Sequence, residues 1–577
     1  MSAPVDSCLS LRFCLKQSLH HHKIRYGVTA FFAQQEYAIM KISSFGSCLG
    51  LSVAVLLFLI FCVWGFSFTQ DDAFISFRYA RNMAYGNGLR FNPGQNPPVE
   101  GYTNFLWTVL MTLPFCLNID PILFSKITGM IAGISLIWLT WVITRKITGS
   151  NGFALLAGFL LSLNVTFCLW SVSGMETTLF SSLILVIVFM MIHIRTPRVS
   201  GFVAAAGSLL CILTRPEGIL IVIALVVVAS VHNNFTKTRH SFLTSYILCF
   251  TLIFTIYAGW KWLYFGSLIP NTFYAKVSLN YAQRMESGYL YLKGWFLHWA
   301  WPLVILASVS PLQKKNRHVI FVLYIFTATM LSYILFVGGD FMHYHRFMVP
   351  VMGPLIILTA VSIQKFTDDC FSRITLIRKL LYVIIAMLCA FGYASSHLYA
   401  HYTHFKNFDP SDPLQETRHR DTILAYYLKK TFPENSTLAI FNIGRIPYYT
   451  NYKTIDTLGL TDPVIARCLR RSDMCGVGER ILLMQPNIIV PQGQLLLVQE
   501  THDWKTFFLG EWKGNRTTSG ISLILDPDHL DINQLEKCPH VVDAFHDCYE
   551  RFVVQREGNT MVLYLDSNYA KIIDTEK

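Results

Sequence analysis

Two adjacent aspartates, Asp71 and Asp72, follow directly after the first long apolar stretch of the chain. Carboxylates are costly beside a bilayer, so a pair of them there calls for a reason. One carboxylate could take a proton from a hydroxyl as a general base, and two could hold a divalent cation. The alternative is an N-terminal cap, because acidic residues suit the start of a helix. A cap needs only one aspartate, so the pair favours chemistry.

The segment that the pair opens, residues 71–94, is predicted to begin as a helix on a membrane surface. Phe74 and Phe77 are three residues apart and supply apolar anchors for such a helix. Asp71 and Arg78 are seven residues apart, which places them on one helical face. Arg78 is therefore a candidate substrate ligand beside the aspartate pair.

The composition is that of a membrane protein that crosses the bilayer several times. The chain has 577 residues, of which 53% are hydrophobic and 14% charged, whereas soluble domains have about 25% charged residues. The net charge of +12 could indicate nucleic-acid binding. The Lys and Arg residues, however, fall in short clusters between apolar runs, which is typical of positive-inside topology. We expect membrane lipids, and no nucleic acid, as partners.

Alternating apolar runs and basic clusters predict about eleven membrane spans. The basic clusters between spans all fall on one side, which the positive-inside rule makes cytoplasmic. Residues 104–117 are too short to span comfortably and are predicted to be re-entrant or interfacial. The predicted spans are 47–66, 121–144, 152–170, 177–194, 201–213, 219–231, 242–264, 296–311, 318–337, 347–364 and 380–397.

This topology divides the chain into three parts. Residues 1–46 are a basic cytoplasmic tail, in which Met40 before Lys41 resembles a second start. Residues 47–397 form the membrane domain, and residues 398–577 lie outside. The outer part is predicted to be a compact α/β domain. Its predicted elements are a helix over 413–430 and strands at 438–441, 488–490, 521–525 and 561–565.

The polar residues inside or beside the spans all fall on the outer side, where 67–103 is the first outer loop. One-sided clustering suits an outward-opening active site better than a transport path, which needs polar groups through the bilayer. A flippase or transporter for lipid-linked sugars is one alternative to an enzyme, and the one-sided clustering disfavours it. A non-catalytic envelope assembly protein that binds a partner is the other.

Three basic residues on the outer side are candidate phosphate ligands. Arg215 lies in a Pro-Gly break between short apolar runs, where irregular backbone must line a cavity or be buried. Arginine suits bidentate phosphate binding, and the alternatives are an internal pair with Glu217 or a plain loop. Arg346 lies at the mouth of a span, with a snorkelling anchor as its alternative. Lys276 is the third candidate, with a headgroup-facing lysine as the alternative.

Further polar residues on the outer side are candidate substrate ligands. Glu176 could bind sugar hydroxyls or simply balance an arginine. Two histidines at i, i+2 beside an aspartate give a weak metal signal, and no other cofactor is indicated. The remaining candidates are Glu100, Tyr102, Glu217, Asn271, Tyr274, Asp340, His343 and His345.

The cysteines fall into two groups. Ten of the 14 lie at or before Cys389, mostly inside apolar runs, where cysteine is usually a small core residue. Four lie in the predicted outer part, where two disulfides are expected and three pairings are possible. Proximity in sequence favours Cys468–Cys475 with Cys538–Cys548. Free thiols are the alternative.

Seven motifs follow one another along the outer side of the predicted membrane domain and into the C-terminal part. They are DDAFISFRYARN, PPVEGYTNFLW, SGMET, LTRPEG, YFGSLIPNTFYAK, GGDFMHYHRFMVP and DTLGLTD. In this order they resemble the motifs of a family of bacterial membrane glycosyltransferases, the group that contains the mycobacterial terminal β-1,2-arabinofuranosyltransferase. The resemblance extends over about residues 67–470.

This resemblance implies a GT-C fold, in which a multispan core in the bacterial inner membrane carries a periplasmic C-terminal domain. It implies a polyprenyl-phosphate sugar donor, an envelope glycan or lipid-linked acceptor, and inversion at the anomeric carbon. It also implies an aspartate of the first outer loop as the base, here Asp71 or Asp72. Asp71 is favoured because it leads the motif. After Asp462 the chain departs from the family pattern, so the sugar and the acceptor stay open.

Overall fold

The computed structural model describes most of the chain between residues 46 and 566. Outside the described part are 1–45, 195, 232–235, 277–280, 309, 311–315, 341, 374–391, 394, 399–418, 472, 491–494, 498–546, 557–558 and 567–577.

The described residues are mostly helical, as the composition predicts. The helices before the first break at residue 195 are α1 (Gly46–Trp64), α2 (Asp71–Ala84), α3 (Phe105–Leu110), α4 (Thr112–Cys116), α5 (Pro121–Thr148), α6 (Asn151–Ser162), α7 (Val165–Ser171) and α8 (Thr177–His193). Those up to residue 373 are α9 (Pro197–Thr214), α10 (Ile219–Val231), α11 (Thr236–Phe265), α12 (Asn271–Lys276), α13 (Tyr281–Trp295), α14 (Trp301–Ala307), α15 (Arg317–Val337) and α16 (Val349–Arg373). Those after it are α17 (Arg420–Thr431), α18 (Arg445–Thr450), α19 (Pro463–Arg470) and α20 (Met474–Met484).

Six helices of the described part are long and apolar enough to cross a membrane, or seven if the bent pair α6 and α7 is one span. Shorter apolar helices occupy Phe105–Cys116, Thr177–His193 and Pro216–Val228. The first of these consists of two pieces of six and five residues, α3 and α4, too short to cross. The predicted span at 380–397 lies mostly outside the described residues, so the count of eleven stays a prediction.

A buried lysine joins the start of helix α5 to the segments that follow α1 and α7. Lys126, in the second turn of α5, donates hydrogen bonds to the backbone carbonyls of Phe68 (2.7 Å) and Val172 (2.8 Å). A buried ammonium requires such partners, because desolvation alone would be costly. These bonds fix the chain just before Asp71 against the segment that leads to Glu176.

The described part of the C-terminal region contains a six-stranded mixed sheet. Its strand order is β2-β1-β3-β6-β4, with β5 paired to β6; β1 pairs in parallel with β2 and β3, and β6 is antiparallel to its neighbours. The strands are β1 (Thr437–Ile440), β2 (Lys453–Asp456), β3 (Ile488–Val490), β4 (Leu495–Leu497), β5 (Tyr549–Arg556) and β6 (Asn559–Asp566).

Three of the predicted strands and the predicted helix have counterparts in this sheet region. The strands at 438–441, 488–490 and 561–565 correspond to β1, β3 and β6, and the helix over 413–430 corresponds to α17. The predicted strand at 521–525 lies outside the described residues. The predicted limits of the domains stay predictions.

The predicted disulfide pairing is wrong. Cys475 is disulfide-bonded, whereas Cys468 and Cys548 are free thiols. The Cys468 sulfur lies against Gly476, and neighbouring residues of a helix point about 100° apart. Nearness in sequence therefore does not decide which two thiols pair, because a disulfide requires a specific distance and direction between them in the fold. Cys538 lies outside the described residues.

Candidate active site

Asp71 begins helix α2 and lies beneath a loop from the C-terminal region. Its carboxylate accepts hydrogen bonds from the backbone N–H groups of Gly444 (3.1 Å) and Arg445 (2.8 Å). A side chain at position 444 would collide with this carboxylate, so glycine is required there. The aspartate is therefore more than a cap of its own helix, since residues about 370 positions away in sequence hold it.

The environment of Asp71 raises its pKa to about 7. Burial is the main cause, and the negative charges of Asp421 and Asp72 add to the rise, while Arg445 opposes it. Asp421 is buried at the start of α17. A carboxylate with a pKa near 7 is basic enough to accept a proton in its ionised form.

Asp72 faces a different partner and is more open to solvent. Its carboxylate lies 3.4 Å from the ammonium of Lys276 at the end of α12, and their side chains are 22% and 38% exposed. An ion pair this exposed contributes little to stability. The pair therefore places a cation beside the two aspartates without burying it.

The predicted divalent cation stays a prediction, and these contacts do not favour it. The Asp71 oxygens are directed at backbone donors and the Asp72 carboxylate at a lysine. In the part of the chain that the structure describes, no group of three or more His, Cys, Asp or Glu side chains could hold a metal ion. A hard cation prefers several oxygen ligands converging on one point.

Arg78 joins helix α2 to the C-terminal region and is not placed to bind substrate. It is fully buried and donates to the carbonyls of Phe91 (2.8 Å), Tyr452 (2.7 Å) and Pro447 and to the Asn92 side chain (3.0 Å). These bonds occupy its guanidinium group on all sides. Asp71 and Arg78 do lie on one helix, α2, as the sequence predicts. Arg78, however, uses its position to hold the C-terminal region rather than a substrate.

A buried ionic network lies where helix α8 begins and helix α9 ends. The Arg215 guanidinium bridges Glu176 and Glu217, each at 2.8 Å. Asn104 donates to the other oxygen of Glu176 (2.7 Å) and exchanges hydrogen bonds with Ser76 of α2. The network therefore reaches the helix that carries the aspartate pair.

Arg346 completes this network with a partner of its own. Its Nε donates to Asp340 at 2.7 Å, and its guanidinium lies over the rings of Trp170 and Phe347. Arg215 also lies over Phe347, 5.2 Å from the ring centroid. Counting Arg215 and Arg346 against Glu176, Glu217 and Asp340 leaves one net negative charge.

The predicted phosphate contacts of Arg215 and Arg346 therefore do not fit this geometry. Both side chains are almost fully buried, and both are already paired with carboxylates. A net negative cluster repels a phosphate, and breaking a buried pair to admit one would be costly. Of the two alternatives that the sequence leaves open for Arg215, the internal pair with Glu217 is the one observed.

The motif around Asp340 has an unusual backbone. Tyr344 and His345 have φ values of 57° and 50° in the left-handed region, which costs energy for residues with a side chain. The His345 ring packs against Tyr291 at 4.8 Å. This bend delivers Arg346 to the interior, which explains why a loop beside a span carries a buried arginine. The side chain of His343 lies outside the described residues.

The other predicted substrate ligands surround the segment after α11. Glu100 pairs with Lys261 at 2.8 Å, and Tyr102 is buried. The Asn271 amide donates to the carbonyls of Gly459 (2.7 Å) and Leu460 (3.0 Å), so it fastens α12 to the C-terminal region. Tyr274 lines a cavity nearby.

The motif DTLGLTD forms the loop to which Asn271 is fastened. The buried Asp456 carboxylate accepts from the backbone of Leu458 (2.9 Å), Gly459 (3.0 Å) and Thr461 (2.6 Å). Burial raises the pKa of Asp456 to about 7, although these hydrogen bonds act against the rise. The motif is therefore a scaffold for the site rather than a reactive group.

Sequence reasoning missed three residues that contact or influence Asp71. Gly444 and Arg445 belong to GRIPYYT (444–450), which is recognisable in the sequence as a turn but carries no catalytic residue type in a known spacing. Asp421 lies in a predicted helix with nothing to mark it. Only the tertiary fold brings these three positions to the aspartate pair.

Comparison with solved structures identifies the fold. The crystal structure of ArnT from Cupriavidus metallidurans bound to undecaprenyl phosphate is similar with a TM-score of 0.51 and 12% identity, over 90% of this chain and 98% of that one. The archaeal oligosaccharyltransferase AglB from Archaeoglobus fulgidus, in complex with an inhibitory peptide and a dolichol-phosphate, gives a TM-score of 0.52 and 11% identity. That match covers 91% of this chain and 75% of AglB. The chain therefore has the fold of the GT-C membrane glycosyltransferases.

Other comparisons are less informative. The mycobacterial arabinofuranosyltransferase AftD is similar at a TM-score of 0.43 and 13% identity, over 78% of this chain and 36% of AftD. That score is too low to support an argument about the sugar. A family model described as a domain of unknown function (DUF8728) matches residues 412–537. The search of curated proteins gave no match.

Proposed function

We propose that this protein is a glycosyltransferase of the bacterial inner membrane with its active site on the periplasmic face. It transfers a sugar from a polyprenyl-phosphate donor to an envelope glycan or lipid-linked acceptor, with inversion. The observation that carries the proposal is the aspartate pair at the start of α2. Asp71 is held by Gly444 and Arg445, and Asp72 faces Lys276, in a GT-C fold.

In this mechanism Asp71 is the general base. Its ionised carboxylate takes the proton of the acceptor hydroxyl, and the oxygen attacks the anomeric carbon from the face opposite the phosphate. The bond between this carbon and the phosphate oxygen breaks, and its electron pair leaves with the polyprenyl phosphate. The raised pKa of Asp71 supports this role, because a general base is most effective when its pKa lies near the pH at which the enzyme works.

Lys276 is the group that we assign to the leaving phosphate. It is the most accessible of the three predicted phosphate ligands, with a side chain 38% exposed, compared with 7% for Arg215 and 9% for Arg346. It lies beside the aspartates rather than among buried carboxylates. A cation fixed there stabilises the negative charge that grows on the phosphate as the bond breaks. Asp72 then orients the ammonium.

The direct test is turnover by the purified full-length protein in detergent. We expect sugar to move from a polyprenyl-phosphate donor to an added acceptor, with polyprenyl phosphate released in equal amount and both products identified by mass spectrometry. A flippase would move the donor across vesicles without consuming it, and an assembly protein would bind glycan without product. Intact donor after incubation with a panel of sugars and acceptors would contradict the proposal.

The raised pKa of Asp71 predicts the pH dependence of this reaction. Because the base acts as a carboxylate, the rate should increase as the pH rises through about 7 and fall tenfold per pH unit below it. Asp421→Asn removes a charge that raises this pKa, so its pH profile should move to lower pH. A profile unmoved by Asp421→Asn would argue against Asp71 as the titrating group.

A further inference from the structure

A cavity of about 690 Å³ lies where the first outer loop, the segment after α11 and helix α19 meet. Its walls are formed by residues from 97–100, 265–274 and 463–471. This volume is in the range of small-molecule sites, which are usually concave and largely preformed. None of the mechanism described so far uses it.

The cavity is strongly basic. Arg467, Arg470 and Arg471 line it, and Glu100 is the one acidic residue among its walls. That glutamate is already paired with Lys261 at 2.8 Å. Within the described ranges, none of the three arginines forms an ion pair. Three guanidinium groups that share a concave surface without a carboxylate partner form a site for an anion.

The fold holds one of the three arginines, Arg470, in place and fixes the start of the helix that carries Arg467 and Arg470. The guanidinium of Arg470 lies over the rings of Phe273 (5.7 Å) and Tyr274 (5.3 Å), which join α19 to α12. Asp462 caps the start of α19 by accepting from the backbone of Val464 (2.8 Å) and Ile465 (3.2 Å). The Arg470 side of the cavity is therefore preformed, whereas the exposed side chains of Arg467 and Arg471 become ordered on binding.

The cavity lies next to the proposed catalytic pair. Helix α12 lines the cavity with Asn271 and Tyr274, and its last residue, Lys276, contacts Asp72. The six residues of this helix span about 9 Å at 1.5 Å per residue. One or two sugar rings could therefore connect a group in the cavity with the hydroxyl at Asp71.

We propose that this cavity is the acceptor site and that the acceptor is a glycan bearing a negative charge. The anionic group, a carboxylate or a phosphate, binds Arg467, Arg470 and Arg471, while the ring faces rest on the prolines and on Phe265. The proposal deepens the transferase function and rests on it.

The test is a binding measurement that needs no turnover. The full-length protein in detergent is titrated with three probes: trigalacturonate, maltotriose carrying a phosphate, and neutral maltotriose. We expect the two acidic probes to bind at least about tenfold more tightly than the neutral one, and salt to weaken only the acidic probes. Equal affinity for acidic and neutral probes would overturn the proposal.

A charge-matched pair of variants locates the site. The triple variant R467Q/R470Q/R471Q should lose about tenfold or more in affinity for the acidic probes. The control K429Q/K430Q/K453Q removes three charges from exposed lysines of the same region, outside the cavity, and should bind like the wild type. Equal losses in the two variants would overturn the proposal.

A further experiment distinguishes an acceptor site from a donor site. Binding of undecaprenyl phosphate is measured on the same variants, and the proposal expects it to be unchanged in R467Q/R470Q/R471Q. A selective loss of undecaprenyl phosphate would assign the cavity to the donor and overturn the acceptor site. Acidic-probe binding that depends on the arginines, in a protein without turnover, would contradict the transferase function while leaving the anion site intact.

Discussion

Asp71→Asn is expected to lower the rate of sugar transfer by about 10³-fold, since a positioned general base contributes roughly 10²–10⁴-fold. Asparagine has nearly the same shape but cannot accept the proton of the acceptor hydroxyl. Its effect should appear in the chemical step, while the affinity for the polyprenyl-phosphate donor changes little. The measurement is single-turnover transfer by protein purified from membranes.

The asparagine has a structural cost that must be separated from its chemical effect. Both carboxylate oxygens accept backbone N–H groups, and the amide nitrogen of asparagine would oppose one of these donors, at a cost of about 1–3 kcal/mol. The amount of protein in the membrane and its thermal unfolding therefore accompany the kinetics. Asp120→Asn is a matched control, because Asp120 is an exposed N-cap of α5 and asparagine caps as well.

Asp72→Asn distinguishes the two members of the pair. It removes the contact with Lys276 but leaves the base, so a smaller loss than for Asp71→Asn is expected, about tenfold for a displaced charge at the phosphate. A larger loss in Asp72→Asn would exchange the two roles. Full activity in both variants would eliminate the aspartate pair as catalytic.

Local features of the site could be predicted from the sequence because they depend on near neighbours. The helix that begins at Asp71 and the break at Arg215 follow from periodicity, Pro and Gly, and the stretch at 104–117 is recognisable by its length as too short to span. The GT-C fold follows from motif order rather than from any one motif. Each of these features depends on residues within one short segment of the sequence.

The partners of each charge could not be predicted, because they lie far apart in sequence. Asp71 and Arg445 are 374 residues apart, and Arg215 and Glu176 are separated by 39. The sequence shows an arginine on the outer side, but whether it faces a phosphate or two carboxylates depends on how helices pack. In the fold, backbone carbonyls surround Arg78 and carboxylates surround Arg215. Both arginines therefore have a structural role.

Arg215→Met is expected to destabilise the protein by about 3–5 kcal/mol, because it leaves buried carboxylates without their cation. Glu176 and Glu217 have side chains only 3% and 5% exposed, and both depend on this guanidinium. The free energy of unfolding, measured by denaturant titration in micelles, should fall by that amount. Arg317→Met, at an exposed helix start, is the control and should change it by less than about 0.5 kcal/mol.

Removing Arg215 together with both of its carboxylates separates a buried-charge penalty from a loss of packing. In the triple variant E176Q/R215M/E217Q the Arg346–Asp340 pair stays intact, the three bridged charges are gone, and Asn104 still has an acceptor at position 176. Replacement of a complete buried ionic group is often close to neutral, so the triple variant should recover most of the stability lost in Arg215→Met. If the triple variant is as unstable as the single one, Arg215 acts through its packing on Phe347 rather than through its charge. If instead it is stable and inactive, the ionic network serves the reaction by orienting Ser76 and the helix of the aspartate pair through Asn104.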